Sequence, residues 1–298
     1  MIDFAFPQSQ FGAISYWLRL IGGSVDITSI RTDRSALKLS SDDVLFTEER
    51  HLAIITLNRP EVMNSMNPPL HDALREALEE VRDNDSIWVA ILTGTGDRAF
   101  SAGADLKWRS ENEDTIREMA KRPREKILSS EFGCWKPVIA AVNGYAVGGG
   151  LELAIACDLI VAAERAQFGL PEPRRGLMAD AGGVHGLPRQ IPSKLAMELI
   201  LTGRFITAQR AAEIGLVNRV VRNDELLAAA RELATEIMEC SPKAVQAAKQ
   251  AVVLGSGLTF EDAMFTEFSL FDRLKNSADF TEGPRAFSEK RAPKWEGA

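Results

Sequence analysis

The sequence predicts an α/β fold with a sheet buried on both faces, followed by a helical C-terminal third. Two observations carry this. Short apolar runs alternate with segments of helical period as far as Ala163, and after His185 strand signals almost vanish while helical ones continue. With 298 residues, 45% apolar and 26% charged, the chain can bury one large or two ordinary cores beneath a solvated surface.

The elements follow in order. Leu52 to Leu57 (LAIITL) reads as a buried strand ended by Asn58, Arg59 and Pro60. Pro68 to Val81 repeats apolar residues at helical spacing, and Ile87 to Thr93 is the next strand. Phe100 to Ala104 turns through Gly103 into a short helix, and a long charged helix is expected over Asp114 to Glu131. Val138 to Val142 and Asp158 to Ala163 are further strands, with a helix opening at the glycines between them. Helical periods then cover Lys194 to Leu201, Ala208 to Ile214, Asp224 to Cys240, Pro242 to Leu254 and Thr259 to Asn276.

Composition narrows the function classes. A net charge of −7 argues against a general nucleic-acid or anionic-membrane binder. The helix RSENEDTIREMAKRPREKILSS alternates its charges and offers no basic stripe. Cys134, Cys157 and Cys240 are odd in number and far apart, without metal-ligand spacing. They read as reduced thiols, which points to the cytoplasm and to no metal site. No apolar run is long enough to span a membrane, and residues 1–43 form an N-terminal extension without an assigned role. There is no phosphate loop, no dinucleotide fingerprint and no nucleophile elbow to pair with His185.

Chemistry concentrates in two small-residue corners and two acids. Gly148, Gly149 and Gly150 open a helix whose unpaired N–H groups can face an anion, and Glu152 follows inside the apolar run Leu151 to Ala156. The bland alternative is a tight turn with Glu152 serving only as a helix cap. At Phe100 to Lys107 a second corner places the N–H of Ala104 at a helix start, so the two corners could clasp one oxygen. Lys107, within one turn of this corner, could meet a phosphate, although an isolated lysine is more often only solvated surface. Glu172 stands between two prolines in a stiff loop, and sequence spacing leaves open whether it meets Glu152.

Together, LNRPEVMNSMN, AFSAGADLK, KPVIAAVNGYAVGGGLELAIACDLIVAAERAQFGLPEPRRGL, AGGVHGLPRQIP, LTGRFITAQRAAEIGLVNRVV and EGPRAFSEKRAPKW resemble the crotonase superfamily of enoyl-CoA hydratases and isomerases across residues 45–298. The resemblance implies a crotonase-like spiral of ββα units over 44–192 and a helical trimerisation region over 193–298, giving trimers or hexamers. It implies that Ala104 and Gly149 form an oxyanion hole, that Glu152 and Glu172 are the catalytic acids, and that Ala102, Gly103, Ala104, Asp105, Leu106, Lys107, Gly148 and Gly149 line the acyl-CoA site. The implied reaction is syn addition of water to a 2-enoyl-CoA, with no cofactor beyond the coenzyme A of the substrate. Two positions depart from the common hydratase pattern: Leu170, and Asp180, a possible third acid. Asp180 either caps the helix beginning near Gly182, the favoured reading, or marks a carnitinyl-CoA dehydratase-like lyase or an enoyl/dienoyl-CoA isomerase acting on another acyl-CoA. A non-catalytic binder of the same fold is the remote alternative.

Overall fold

In a computed structural model the described residues are 37–119 and 132–297. From Lys38 onward the chain forms one compact unit. Its strands alternate between two sheets: β1 (Val44–Glu49), β2 (Leu52–Leu57), β3 (Val89–Gly94), β5 (Val138–Val142), β7 (Leu159–Ala163) and β10 (Arg219–Val221) form a six-stranded sheet in that order. The three-residue strands β4 (Ala99–Ser101), β6 (Tyr145–Val147), β8 (Gln167–Gly169) and β9 (Phe205–Thr207) form a second sheet, also in that order.

Each unit gives one strand to the large sheet, the next to the small sheet, and then a helical segment. After β3 and β4 comes α2 (Leu106–Glu111); after β5 and β6 comes α4 (Gly149–Ala156); after β7 and β8 comes a short 3₁₀ turn (Glu172–Arg175). Each successive unit moves one place along both sheets, which is a spiral of ββα units. Apart from the β1–β2 and β8–β9 pairs, every pairing within these sheets is parallel.

Both faces of the central strands of the large sheet are dry, and the alternation of side chains shows why these strands read as unbroken apolar runs. Ile55, Leu57, Ala90, Leu92, Val138, Ala140, Ile160 and Ala162 pack in one cluster with α1 (Pro68–Asp83), through Leu70, Leu74 and Leu78. Leu52, Ile54, Val89, Ile91, Ile139, Ala141, Val161 and Ala163 face the other way, against Leu226, Ala230 and Ala234 of the helix Leu226–Met238. Spacing at i, i+4 and i+8, two of the three being alanines, lets that helix lie close to the sheet.

The structure corrects the expectation for the C-terminal third, which contains the strands β9 and β10. Three residues are too few to show a period of two, so neither strand was legible. The helix expected over 259–276 is two, Phe260–Phe265 and Ser269–Lys275. A further helix, Asp279–Ser288, follows. Of the long charged helix, Glu113–Met119 is described as α3, and 120–131 lie outside the described residues, as do 1–36. Among the described residues no helix is long and apolar enough to cross a membrane.

Candidate active site

The strands β4, β6 and β8 are parallel neighbours, so their C-terminal ends stand side by side. The chain leaves these ends into the Ser101–Asp105 corner, the Gly148–Gly150 corner and the Glu172 turn. Three segments far apart in sequence therefore meet at one edge, the usual place for a ligand in parallel α/β sheets.

The two corners touch through their backbones. Gly103 has φ +82°, and a Cβ there would stand 2.8 Å from the N of Gly149. A Cβ on Gly149 would lie 3.7 Å from the N of Ala104 and 2.8 Å from Cε of Met66. Around Ala104 the neighbouring N–H groups are occupied: Ala102 donates to Met63 O (2.9 Å), Gly103 to Ser101 Oγ (3.1 Å) and Asp105 to Met66 O (2.9 Å). Met66 also donates to Gly103 O at 2.7 Å, so Met66 and Ala104 form an isolated parallel bridge. In such a bridge the N–H of the central residue points away from its partner. Among the described residues, neither Ala104 N nor Gly149 N donates to a protein acceptor. Two adjacent main-chain donors are thus left over, the second at the N-terminus of an eight-residue helix.

Glu152 is 6% exposed. Its Oε1 accepts the N–H of Ala181 (2.8 Å) and of Gly183 (2.9 Å), the start of α5 (Gly183–Gln190). Burial pushes the Glu152 carboxyl above its ordinary value, against the pull of the Gly183 and Ala181 N–H groups, and the charges of Glu172 and Asp180 push it further up.

Glu172 reaches over the other corner: a Cβ on Gly148 would meet its Oε1 at 3.1 Å. Its Oε2 is buried and has no hydrogen-bond partner among the described residues. Burial raises its pKa too, against the pull of its own backbone N–H and of Arg175, and Asp180 adds to the rise. The question left open by spacing is answered: Glu172 stands over the Gly148 corner and its charge reaches Glu152, so the two glutamates share one site.

Asp180 does not take the N–H groups assigned to it by its place before the helix. Gly182 is the N-cap and makes no side-chain cap, and Ala181 and Gly183 are held by Glu152 instead, because that carboxylate approaches from the helix beneath. Asp180 is an exposed acid whose charge raises both glutamates. Asp105 is likewise committed inside the protein: Oδ1 caps Trp108 N (3.0 Å) and Oδ2 pairs with Arg59 Nη1 (3.1 Å). Leu106 and Lys107 stand exposed at the start of α2. The motif LNRPEVMNSMN carried the resemblance without any role for its residues, yet it supplies Arg59, Asn64 and Met66, which hold the Ala104 corner.

The arrangement can polarise a carbonyl through two backbone donors while one carboxylate accepts a proton and another delivers one. Comparison with known proteins agrees with this chemistry. A family model described as enoyl-CoA hydratase/isomerase matches residues 47–298. (E)-benzylidenesuccinyl-CoA hydratase of Thauera aromatica is 43% identical over 248 residues, 83% of this chain and 96% of that protein. Carnitinyl-CoA dehydratase of Salmonella typhi is 40% identical over 261 residues, 86% of this chain and 99% of that protein. The crystal structure of an enoyl-CoA hydratase from Bacillus anthracis superposes with a TM-score of 0.79 at 38% identity, covering 86% of this chain and all of that one.

Proposed function

We propose that this chain, which belongs to the enoyl-CoA hydratase/isomerase family, is a lyase that adds water reversibly and syn across the double bond of a 2-enoyl-CoA thioester. The single observation that carries the reading is the pair of unused N–H groups, Ala104 and Gly149, between two carboxyl groups whose pKa values are both raised.

The thioester oxygen would accept both N–H groups, which draws electrons from the β-carbon and favours attack there. Ionised Glu152 takes a proton from water as the water oxygen bonds to the β-carbon, and the π electrons move to the thioester oxygen. Glu172, protonated, then gives its proton to the α-carbon as the enolate collapses. Water has been added, Glu152 holds the proton that Glu172 lost, and return of that proton resets the pair. The hydrogen bonds support this division of labour: the N–H groups of two other residues favour an ionised Glu152, whereas among hydrogen-bond donors Glu172 has only its own backbone N–H to favour the charge, and its Oε2 has no partner among the described residues.

A second reading, dehydration or isomerisation of another acyl-CoA, is favoured by Asp180, whose charge reaches both glutamates. The proposal extends to an enzyme without a cofactor beyond coenzyme A, acting in the cytoplasm as a trimer or hexamer. For assembly the support is the apolar surface of the C-terminal helices, where Val252, Phe260, Met264 and Phe265 are 71%, 76%, 66% and 88% exposed. Turnover of a panel of 2-enoyl-CoA thioesters, with products identified by mass, tests the reaction. Gain of one water supports hydration; a product of unchanged mass with a moved double bond, or free coenzyme A, overturns it.

A further inference from the structure

The Ala104 corner is braced from beneath by a buried polar network with no place in the reaction just described. Arg59 is its hub. Its Nη1 donates to Ser65 O at 2.7 Å and to Asp105 Oδ2 at 3.1 Å, and both side chains are mostly buried, at 14% and 11% exposure. The Arg59 backbone N–H donates to Asn64 Oδ1 at 2.9 Å. Asn64 is fully buried in the left-handed conformation, and its Nδ2 reaches Thr95 O and Ala99 O. Ser101 Oγ donates to Asn64 O at 2.8 Å while accepting the N–H of Gly103. Three members of this network, Ser101, Gly103 and Asp105, lie within three residues of Ala104.

We propose that the Arg59–Asp105 ion pair is a positioning device for the Ala104 N–H, and that Arg59 is therefore a positioning residue for catalysis. The inference rests on the oxyanion role assigned to Ala104 above. Asp105 follows the peptide unit that carries this donor. Its Oδ1 fixes the first turn of α2 through Trp108 N, and its Oδ2 ties the same residue to Arg59, which is anchored in turn to the loop that supplies Met66. Met66 holds Gly103 O on one side of Ala104 and Asp105 N on the other. Rotation of the Ala104 peptide would strain both bonds. Electrostatics fits a fixed geometry as well: burial pushes the Asp105 carboxyl upward, but the Trp108 N–H and Arg59 outweigh it and hold the group below the ordinary aspartate value. The ion pair also has little reason to exist for stability alone, since a buried pair contributes near zero against an apolar replacement of equal volume. Its distinctive property is directional.

The test uses the full chain and five variants: Arg59→Met, Arg59→Lys, Asp105→Asn, the Arg59→Met/Asp105→Asn double variant and, as a control for lost ion pairing elsewhere, Arg291→Met, which removes the contacts to Glu282 and Glu289. Two readouts are taken. One is kcat and KM on a 2-enoyl-CoA that the native protein hydrates; the other is the absorption band of bound 4-dimethylaminocinnamoyl-CoA, which moves to longer wavelength as its thioester carbonyl is polarised. A donor turned from its line costs on the order of 10- to 100-fold in kcat. Arg59→Met and Asp105→Asn should show that loss with KM within about twofold, a smaller red shift, and a double variant no worse than either single one. Arg59→Lys should recover part of both signals, and Arg291→Met should change neither. Should Arg59→Met not fold, the near-isosteric Asp105→Asn carries the same expectation. If the native protein turns over and red-shifts the probe while the Arg59 and Asp105 variants do likewise, this inference alone falls. If the native protein itself gives no red shift, the oxyanion reading falls and takes the inference with it.

Discussion

The carboxylate of Glu152 and the N–H of Gly183 are joined by a 2.9 Å hydrogen bond across thirty-one positions of the chain. The same oxygen accepts Ala181 N, so a side chain on one helix caps the start of another. Oε1 is thereby spoken for, and Oε2 remains to take a proton from water. A residue expected to do chemistry also fixes the loop that carries Asp180.

Glu152→Gln and Glu172→Gln should each lower hydration at least ~100-fold, the usual weight of a general acid or base. Circular dichroism should show an unchanged fold, since the amide oxygen of Gln can still accept the two N–H groups held by Glu152. Near-native rates in either variant would end the two-acid mechanism.

Gly183→Ala should impair turnover without unfolding the protein. A methyl there would stand 2.8 Å from Cβ of Ala179 and 3.1 Å from both Cγ and Oε1 of Glu152. Displacing that carboxylate should cost on the order of tenfold or more in kcat. Adding Ala179→Gly removes the first clash but not the second, so the double variant should stay slow. Full recovery would mean that the position of Glu152 is not what Gly183 protects.

Asp180→Asn should move the whole pH–rate profile to lower pH. Burial is the main reason both glutamates titrate high, with Asp180 adding its charge to each. Removing that charge favours their ionised forms, so the base becomes competent, and the acid is lost, at lower pH. A profile that stays in place while the substrate panel changes would assign Asp180 to substrate choice and favour the dehydratase or isomerase reading.

Stability gives an independent sign. The folded-state pKa of Glu172 lies above its ordinary 4.5. Between those two values the folded protein binds more protons than the unfolded chain, and stability falls as pH rises. Glu172→Gln lacks this titration, so its melting temperature should gain on that of the native protein as pH is raised through that window. A gap that is constant with pH would show that Glu172 is not buried in the way described.

Phe265→Asp should weaken self-association, because Phe265 is the most exposed large apolar side chain of the C-terminal helices. Sedimentation should show a native trimer or hexamer and a smaller species for the variant. A monomeric native protein would overturn the assembly proposal outright.

The four central strands of the large sheet were legible because both of their faces are dry, so Leu52–Leu57 and Val138–Val142 read as continuous apolar runs. The small sheet was not. Ala99–Ser101, Tyr145–Val147 and Gln167–Gly169 are strands only because each lies beside the next, a relation that spans dozens of residues. Glu152 stood out as an acid in an apolar run, and the glycines beside it as a helix start. What holds Glu152 could not be read, since Ala181 and Gly183 act through backbone atoms that any residue possesses. Asp180 was misassigned for the same reason: its position before a helix suggested a cap, but a more deeply buried acid had already taken the donors. Arg59 and Asn64 were visible as letters of a motif, and only the fold gives them a task.

The proposed carbonyl-binding pair is made of main-chain N–H groups, and this bears on how the protein can change over time. A substitution at Ala104 alters a methyl group but leaves the donor, as long as the surrounding loops keep their course. The carboxylates have no such protection: one codon change removes Glu152 or Glu172 entirely. On the proposed mechanism, thioester activation is thus inherited with the fold, while proton handling is open to selection residue by residue. Descendants of such a chain could exchange one reaction for another on coenzyme A thioesters long before they lost the capacity to bind and polarise them.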